Sequence, residues 1–179
     1  MNKKNMFFIF LLSLVLFYSC SVNTKHKFPS KEISDLTMPG NKLQFKEIEG
    51  YENYKIISTH FRTDKQEIRY ILGNKKAYRA LKKNKLPLPE GSIVVKIGWK
   101  VKKMENFKPA LEAGKLQRVE YMIKDIHRFP NNPGNWGYAR FVKNKGKYTV
   151  WVKGTQSCIS CHNLAKQNDF LFSKYQSLH

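Results

Sequence analysis

Two cysteines and a histidine near the end of the chain form the pattern most able to do chemistry. They are Cys158, Cys161 and His162, in the run CISCH. Two thiols three positions apart can each add to a vinyl group of one porphyrin, and the adjacent imidazole then lies beneath the iron. The spacing therefore predicts a covalently attached haem c with His162 as an iron ligand.

A Cys-x-x-Cys pair is also compatible with a zinc half-site or a redox-active dithiol. A structural zinc site needs about four ligands. The chain has a single further cysteine, Cys20, so scattered histidines or carboxylates would have to complete such a site. A thioredoxin-like dithiol belongs near the start of a βαβ pattern, which the sequence lacks. We therefore favour haem over both alternatives.

The second axial position of that iron has no obvious ligand in the sequence. No methionine follows His162, which removes the Met ligand that small electron-carrier cytochromes supply after their haem motif. Candidates upstream are His60, Met104, Met122 and His127, and each is more simply interpreted as a core or solvated side chain. We expect a vacant or water-filled position, which favours ligand binding or catalysis over simple electron relay.

The first residues of the chain predict export. Two lysines precede a largely apolar run at residues 6–18, which is too short to span a bilayer because a spanning helix takes roughly 20 apolar residues. A small residue and Cys20 follow, an order that resembles a lipoprotein processing site. We predict a signal peptide over residues 1–19 and a lipid anchor at Cys20 on the periplasmic side of a bacterial membrane. Cleavage nearby by the ordinary signal peptidase and a retained helix are the alternatives.

The chain is strongly basic, with 33 Lys and Arg against 13 Asp and Glu and a formal net charge of +20. Such a balance is typical of nucleic-acid-binding proteins. Export and the dispersal of the lysines along the chain argue against that class. We therefore predict no nucleic-acid partner and a solvated Lys-rich surface, with an anionic membrane or an acidic redox partner as alternatives.

The elements that must position the haem motif are mostly strands. Alternating β-branched and aromatic residues predict strands at residues 54–59, 67–72, 92–101, 116–124, 136–142 and 148–152. The best helix is residues 75–83, with Asn74 as its N-cap. The predicted fold class is therefore α+β and β-rich, an antiparallel sheet with a few packed helices and the haem motif at the C-terminal end.

The length of 179 residues suits one domain with its own core. Residues 28–50 are rich in proline, serine, asparagine and charge, so we interpret residues 20–50 as a lipidated tether and irregular N-terminal segment. The haem domain is then predicted to comprise residues 51–179.

Seven short segments resemble, in order and spacing, the cytochrome P460 family, which includes the gas-binding cytochromes c prime of the beta type. They are STHFRTD at residues 58–64, IRYILGN at 68–74, PLPEGSIVVK at 87–96, VEYMIKD at 119–125, GNWGY at 134–138, CISCH at 158–162 and DFLF at 169–172. The resemblance covers most of residues 54–175. It implies one antiparallel sheet with packed helices, a five-coordinate haem c and often a homodimer.

The resemblance also implies roles for individual side chains. Lys96 matches a lysine that P460 enzymes link to the porphyrin edge, and Glu120 matches a distal-pocket carboxylate that takes protons from substrate. His60 and Arg69 lie in matching segments and are candidates for the distal side, together with Phe61. Both Lys96 and Glu120 are also compatible with solvent-facing positions on their strands.

Three functions are compatible with these features. The first, which we favour, is an oxidoreductase that oxidises hydroxylamine or reacts with nitric oxide and passes electrons to a carrier. The second is a non-catalytic gas-binding cytochrome with an apolar distal side built from Phe61 or Tyr70. The third is a periplasmic electron carrier, which requires a strong sixth ligand.

Overall fold

A computed structural model describes residues 35–177 as a six-stranded antiparallel sheet with short helices packed on it. The strands are adjacent in chain order and are β1 Lys55–Arg62, β2 Glu67–Gly73, β3 Ile93–Lys103, β4 Leu111–Lys124, β5 Trp136–Asn144 and β6 Lys147–Val150. This architecture confirms the predicted α+β, β-rich fold class. The signal peptide and the lipidation site at Cys20 lie outside the described residues.

Within residues 35–177, two α-helices and several 3-10 helices accompany the sheet. The helices are α1 Lys75–Lys82 and α2 Gln156–His162, and the 3-10 helices are Phe45–Ile48, Tyr51–Asn53, Pro133–Asn135 and Asn163–Asn168. Asn74 caps α1 as predicted, because its side-chain oxygen accepts a hydrogen bond from the Ala77 N–H at 3.0 Å. Among residues 35–177, no helix combines the length and the apolar character needed to cross a membrane.

One face of the sheet covers the larger hydrophobic core. Alternate positions in a strand share a face, and those of the central strands on this side include Val95, Val119 and Phe141, all fully buried. The segment before residue 51 closes this core with four fully buried side chains: Met38, Leu43, Phe45 and Ile48. The division of the chain at residue 51 stays a prediction, but these residues pack in the same core as the sheet.

The opposite face of the sheet carries a second core and, beside it, an open cleft. Helix α1 packs there through Ala77, Ala80 and Leu81. The C-terminal segment adds Phe170 and Leu171 against strand residues of the same cluster. The chain after α2 is thus held on the face of the sheet that the haem motif also occupies.

The strand boundaries differ from the predicted ones mainly in β4, which begins at Leu111 rather than at residue 116. Residues 111–115 include glutamate, glycine and lysine and carry little strand signal, but they pair with the end of β3 at Val101, Lys102 and Lys103. Pairing with a neighbouring strand therefore overrides the weak local propensity.

Gly137 on β5 is required by a close approach of the loop that follows β4. A methyl group at this position would overlap the buried ring of Phe129.

We expect Gly137→Ala to lower the free energy of unfolding by about 1–3 kcal/mol, the usual cost of overpacking, measured by chemical denaturation. Adding Phe129→Leu should recover part of the loss, and equal effects with and without it would contradict the packing argument.

Candidate functional site

A cleft of about 370 Å³ lies between the sheet and the C-terminal segment. Its lining combines alternate residues of the strands with residues of α2 and the chain that follows it. The apolar part of the lining is Ile71, Val94, Met122, Ala139, Leu164, Leu171 and Phe172. These side chains form an apolar part of the cleft wall, next to the polar groups described below.

The three motif residues reach this cleft from helix α2. Positions three and four apart lie on one helix face, so Cys158 shares a face with Cys161 and His162, and all three line the cleft. Both cysteines are free thiols. Burial raises the pKa of the Cys158 thiol, so this group is protonated at neutral pH.

The imidazole of His162 is oriented by a hydrogen bond to the backbone. Its Nδ1 lies 2.7 Å from the carbonyl oxygen of Phe170, and a carbonyl can only accept, so Nδ1 carries the proton. Burial lowers the pKa of His162 more than this bond raises it, which keeps the ring neutral at pH 7. The lone pair of Nε2 is consequently free to bind a metal ion.

The rings of Tyr138 and Phe172 enclose the same imidazole. Their centroids lie 4.8 Å and 5.3 Å from that of His162. Aromatic neighbours on two sides restrict rotation of the imidazole, so the packing supports the orientation that the hydrogen bond sets.

Glu120 lies at the centre of a buried ionic cluster on the cleft face of the sheet. Its carboxylate is 2.6 Å from Lys96 Nζ, 3.0 Å from Arg140 Nε and 3.5 Å from Arg118 Nε. Burial alone would raise the pKa of Glu120, but the three neighbouring cations outweigh it and lower that pKa. Glu120 is therefore ionised at neutral pH and is a weak base in this arrangement.

A second carboxylate extends the cluster toward β2. Glu67 is 3% exposed and accepts hydrogen bonds from Arg69 and Arg118, each at 2.6 Å at the closest approach. Arg118 thus joins the two carboxylates. The cluster holds more cations than anions, which favours negatively charged groups of a ligand on this side of the cleft.

His60 lies at the β1 side of the cleft between two serine hydroxyls. Its Nε2 is 3.2 Å from Ser58 Oγ and 3.4 Å from Ser173 Oγ. Burial lowers the pKa of His60, and the positive charges of Arg69 and Lys96 add to the effect. The ring is therefore neutral at pH 7.

The described residues of the cleft fit a haem. Two thiols and one imidazole with a free Nε2 project from a single helix, part of the wall is apolar, and basic side chains from β1, β2 and β3 line the remainder. A haem needs this combination, since its macrocycle is apolar and its propionates are anionic. The basic lining residues are Arg62, Arg69 and Lys96.

Most of the predicted site residues meet in this one cleft. Lys96, Glu120, His60 and Arg69 line it together with the motif residues. Phe61 does not belong to the lining, and its side chain is 47% exposed. Adjacent strand residues point to opposite faces, so Phe61 faces away from the cleft that His60 enters.

The other ligand candidates have different locations. Met122 lines the cleft, whereas Met104 and His127 are exposed and lie outside it. Tyr70 packs edge-on against Trp99, with ring centroids 5.0 Å apart. This pair also lies outside the lining of the cleft.

Sequence reasoning missed the two arginines that complete the ionic cluster. Arg118 is two residues before Glu120, so strand alternation alone would have placed it on the same face. Arg140 pairs in register with Glu120 across β4 and β5. That register was the further signal needed to identify it.

The lowered pKa of Glu120 predicts how stability depends on pH. A carboxyl group whose pKa is lower in the folded chain stabilises the fold above its unfolded-state pKa, near 4.5, and loses that effect as pH falls through the folded-state value. We expect Glu120→Gln to lose about 2–4 kcal/mol of unfolding free energy at pH 7, because the partly buried Lys96 and Arg140 lose their counter-charge while Arg118 keeps Glu67, and to flatten the acid limb in denaturation series.

The matched control for this prediction is Glu112→Gln. Glu112 pairs with Lys102 at 2.8 Å, but both side chains are exposed, and such pairs stabilise by about 1 kcal/mol or less. Equal losses for the two variants, or an unchanged acid limb for Glu120→Gln, would show that the cluster does not stabilise the fold in this way.

Comparison with models of protein families identifies the family, whereas comparison with individual curated proteins gives no match. The family model described as Cytochrome P460 matches residues 48–173, which is most of the chain and includes every strand and the cleft. That family implies a haem cofactor, in agreement with the fit of the cleft. The chain belongs to the cytochrome P460 family.

Proposed function

We propose that this chain is a mono-haem c cytochrome with an open distal site that oxidises hydroxylamine or reacts with nitric oxide. The observation that carries the proposal is the meeting of the CISCH motif with Lys96 and Glu120 in one cleft. The family supports a haem cytochrome. The covalent attachment, the open distal site and the substrate are the proposed parts.

The motif residues would hold the cofactor in distinct ways. Each thiol of Cys158 and Cys161 would add across one vinyl group, with a C–S bond formed and the thiol hydrogen transferred to the other vinyl carbon. His162 offers Nε2 to the iron, because its Nδ1 proton is engaged by the Phe170 carbonyl. When bound, the haem supplies an iron that exchanges single electrons and binds small nitrogen-containing ligands.

Glu120 would accept protons from hydroxylamine. It lines the cleft and is ionised, so it has the form that a general base requires. Oxidation of hydroxylamine releases electrons as well as protons, and these electrons leave to a separate electron-carrier protein. Arg118 and Arg140 fix the carboxylate in position through their ion pairs with it.

Lys96 is proposed to form the additional bond to the porphyrin edge, a C–N bond that would replace one N–H and one porphyrin C–H and pass two electrons to an oxidant such as a peroxide. Its Nζ lies in the cleft at 2.6 Å from Glu120. A bonded Lys96 would no longer carry the full ammonium charge beside Glu120. The carboxylate would then become a stronger base, because Lys96 is the cation that lowers the pKa of Glu120 most and its charge would be lost.

Non-catalytic nitric oxide binding is the second candidate, and one observation favours it. With Lys96 free and charged, Glu120 is held by three cations and has a lowered pKa, which makes it a poor proton acceptor. The apolar wall of the cleft also suits an uncharged diatomic ligand. In this case Glu120 and Lys96 act as a structural ion pair.

Turnover and the mass of the haem peptide separate the two candidates. We expect purified haem-loaded protein to reduce an artificial electron acceptor in the presence of hydroxylamine, and Glu120→Gln to slow this by roughly 10²–10⁴-fold, the usual contribution of a general base. After proteolysis, mass spectrometry should find the peptide of Lys96 joined to the haem peptide.

Lys96→Arg and Glu112→Gln are the controls. Lys96→Arg keeps a cation beside Glu120 and should abolish the adduct, whereas Glu112 lies outside the cleft lining and its substitution should leave turnover unchanged. Absence of turnover, together with rapid nitric oxide binding and no lysine adduct, would reject the enzyme and support the gas-binding function.

We also propose that the chain is an exported lipoprotein at the periplasmic face of a bacterial membrane. The proposal is supported by the apolar run at residues 6–18 and by the Cys20 that follows it. Its partners are then a hydroxylamine or nitrogen-oxide ligand, an electron carrier, the membrane and, in a homodimer, a second copy of the chain.

Fractionation of cells tests the anchor. The wild-type chain should be found with the membranes and incorporate a labelled fatty acid, whereas Cys20→Ala should not be labelled. A Ser21→Ala variant is the control and should behave as wild type. Equal labelling of the Cys20→Ala and wild-type chains would contradict lipidation at this residue.

A further inference from the structure

We propose that Asp169 is a positioning residue that fixes the imidazole of His162 through the backbone carbonyl of Phe170. The inference rests on the proposed role of His162 as the iron ligand. Neither the motif nor the ionic cluster around Glu120 includes Asp169, which follows the motif by seven positions in the chain.

The carboxylate of Asp169 is buried, and both of its oxygens accept hydrogen bonds. It is 8% exposed and accepts hydrogen bonds from the Leu88 N–H at 2.7 Å, from Lys124 Nζ at 2.8 Å to each oxygen, and from Trp136 Nε1 at 3.3 Å. These donors come from the segment before β3, the end of β4 and the start of β5. One side chain therefore ties the C-terminal segment to three separate parts of the fold.

Lys124 is the charged partner and is itself held in place. It is also 8% exposed, and its ammonium group lies 5.2 Å from the centroid of the Trp136 ring. A buried lysine requires a counter-charge. The pair of Lys124 and Asp169 is thus a fixed attachment point, unlike an exposed ion pair that can exchange with water.

The backbone next to this attachment point is in an unusual conformation. Asp169 and Phe170 have φ angles of 50° and 65°, in the left-handed region that non-glycine residues rarely adopt. The Phe170 N–H donates to the Ala165 carbonyl at 2.9 Å, and its ring packs against Gly134, where a Cβ would come within 2.5 Å of it. These contacts turn the Phe170 carbonyl toward His162.

The hydrogen bond that results has a defined chemical effect. The Phe170 oxygen lies 2.7 Å from His162 Nδ1, and a strong acceptor at Nδ1 makes Nε2 a better electron donor to a metal ion. A stronger donor stabilises the oxidised iron and lowers its reduction potential. Release of the segment at Asp169 should weaken this bond and reverse both effects.

The test uses the haem-loaded full chain and two substitutions. Asp169→Asn removes the charge but leaves Lys124 buried without a partner, so this variant alone could fail to fold. The double variant Asp169→Asn with Lys124→Met removes the pair as a neutral unit, which is tolerated better than breaking it. The double variant also excludes a simple effect of net charge on the potential.

The readouts are the iron–histidine stretching frequency of the ferrous protein and the reduction potential. We expect the double variant to show a lower frequency and a higher potential than wild type. The control is Glu47→Gln with Arg128→Gln, which removes another neutral ion pair, 2.6 Å apart and more exposed, and should leave both readouts unchanged.

Each outcome bears on a different statement. Wild-type values of the frequency and the potential in the double variant would overturn the positioning role. Equal shifts in the control variant would show that Asp169 only contributes to the general stability of the fold. If the wild-type protein itself gives no iron–histidine band, the assignment of His162 as ligand fails, and with it the proposed function.

Discussion

The charged strand side chains that line the cleft come from one face of a single sheet, and the other face of that sheet packs against the main core. Val95 and Val119 are fully buried on the core side, so their neighbours Lys96 and Glu120 must point to the other side. These two residues pair in register across β3 and β4. A slip of one position would place the charges in the core and the valines in the cleft.

This constraint explains why the cluster of charges is tolerated near an apolar cleft. The Glu120 carboxylate is 13% exposed and would be costly to bury alone, since a desolvated charge requires a partner. Three cations from three adjacent strands supply the counter-charge. The sheet register therefore fixes both the position of Glu120 and its protonation state.

The sequence predicted the parts of the site that follow from local pattern and left out those that depend on register. The haem motif could be identified from residue type and spacing, and alternation placed Lys96 and Glu120 on strands, but their candidacy as site residues came from the family resemblance. The contact of His60 with Ser173 spans 113 positions, and no periodicity relates them. The burial of Met38 and Phe45 was missed because their segment is short, irregular and interrupted by proline and glycine.

Lys96 has the largest influence on the basicity of Glu120. As a free ammonium it forms the shortest of the ion pairs to Glu120, at 2.6 Å, and weakens the carboxylate as a base. If it were bonded covalently, only two arginines would hold the carboxylate, Arg118 on the same strand as Glu120 and Arg140 on the adjacent strand β5. One bond at Lys96 would thus change the basicity of Glu120 without moving the scaffold. Under the proposed function, the same sheet would support either a gas-binding cleft or a catalytic one, according to whether Lys96 is bonded to the haem.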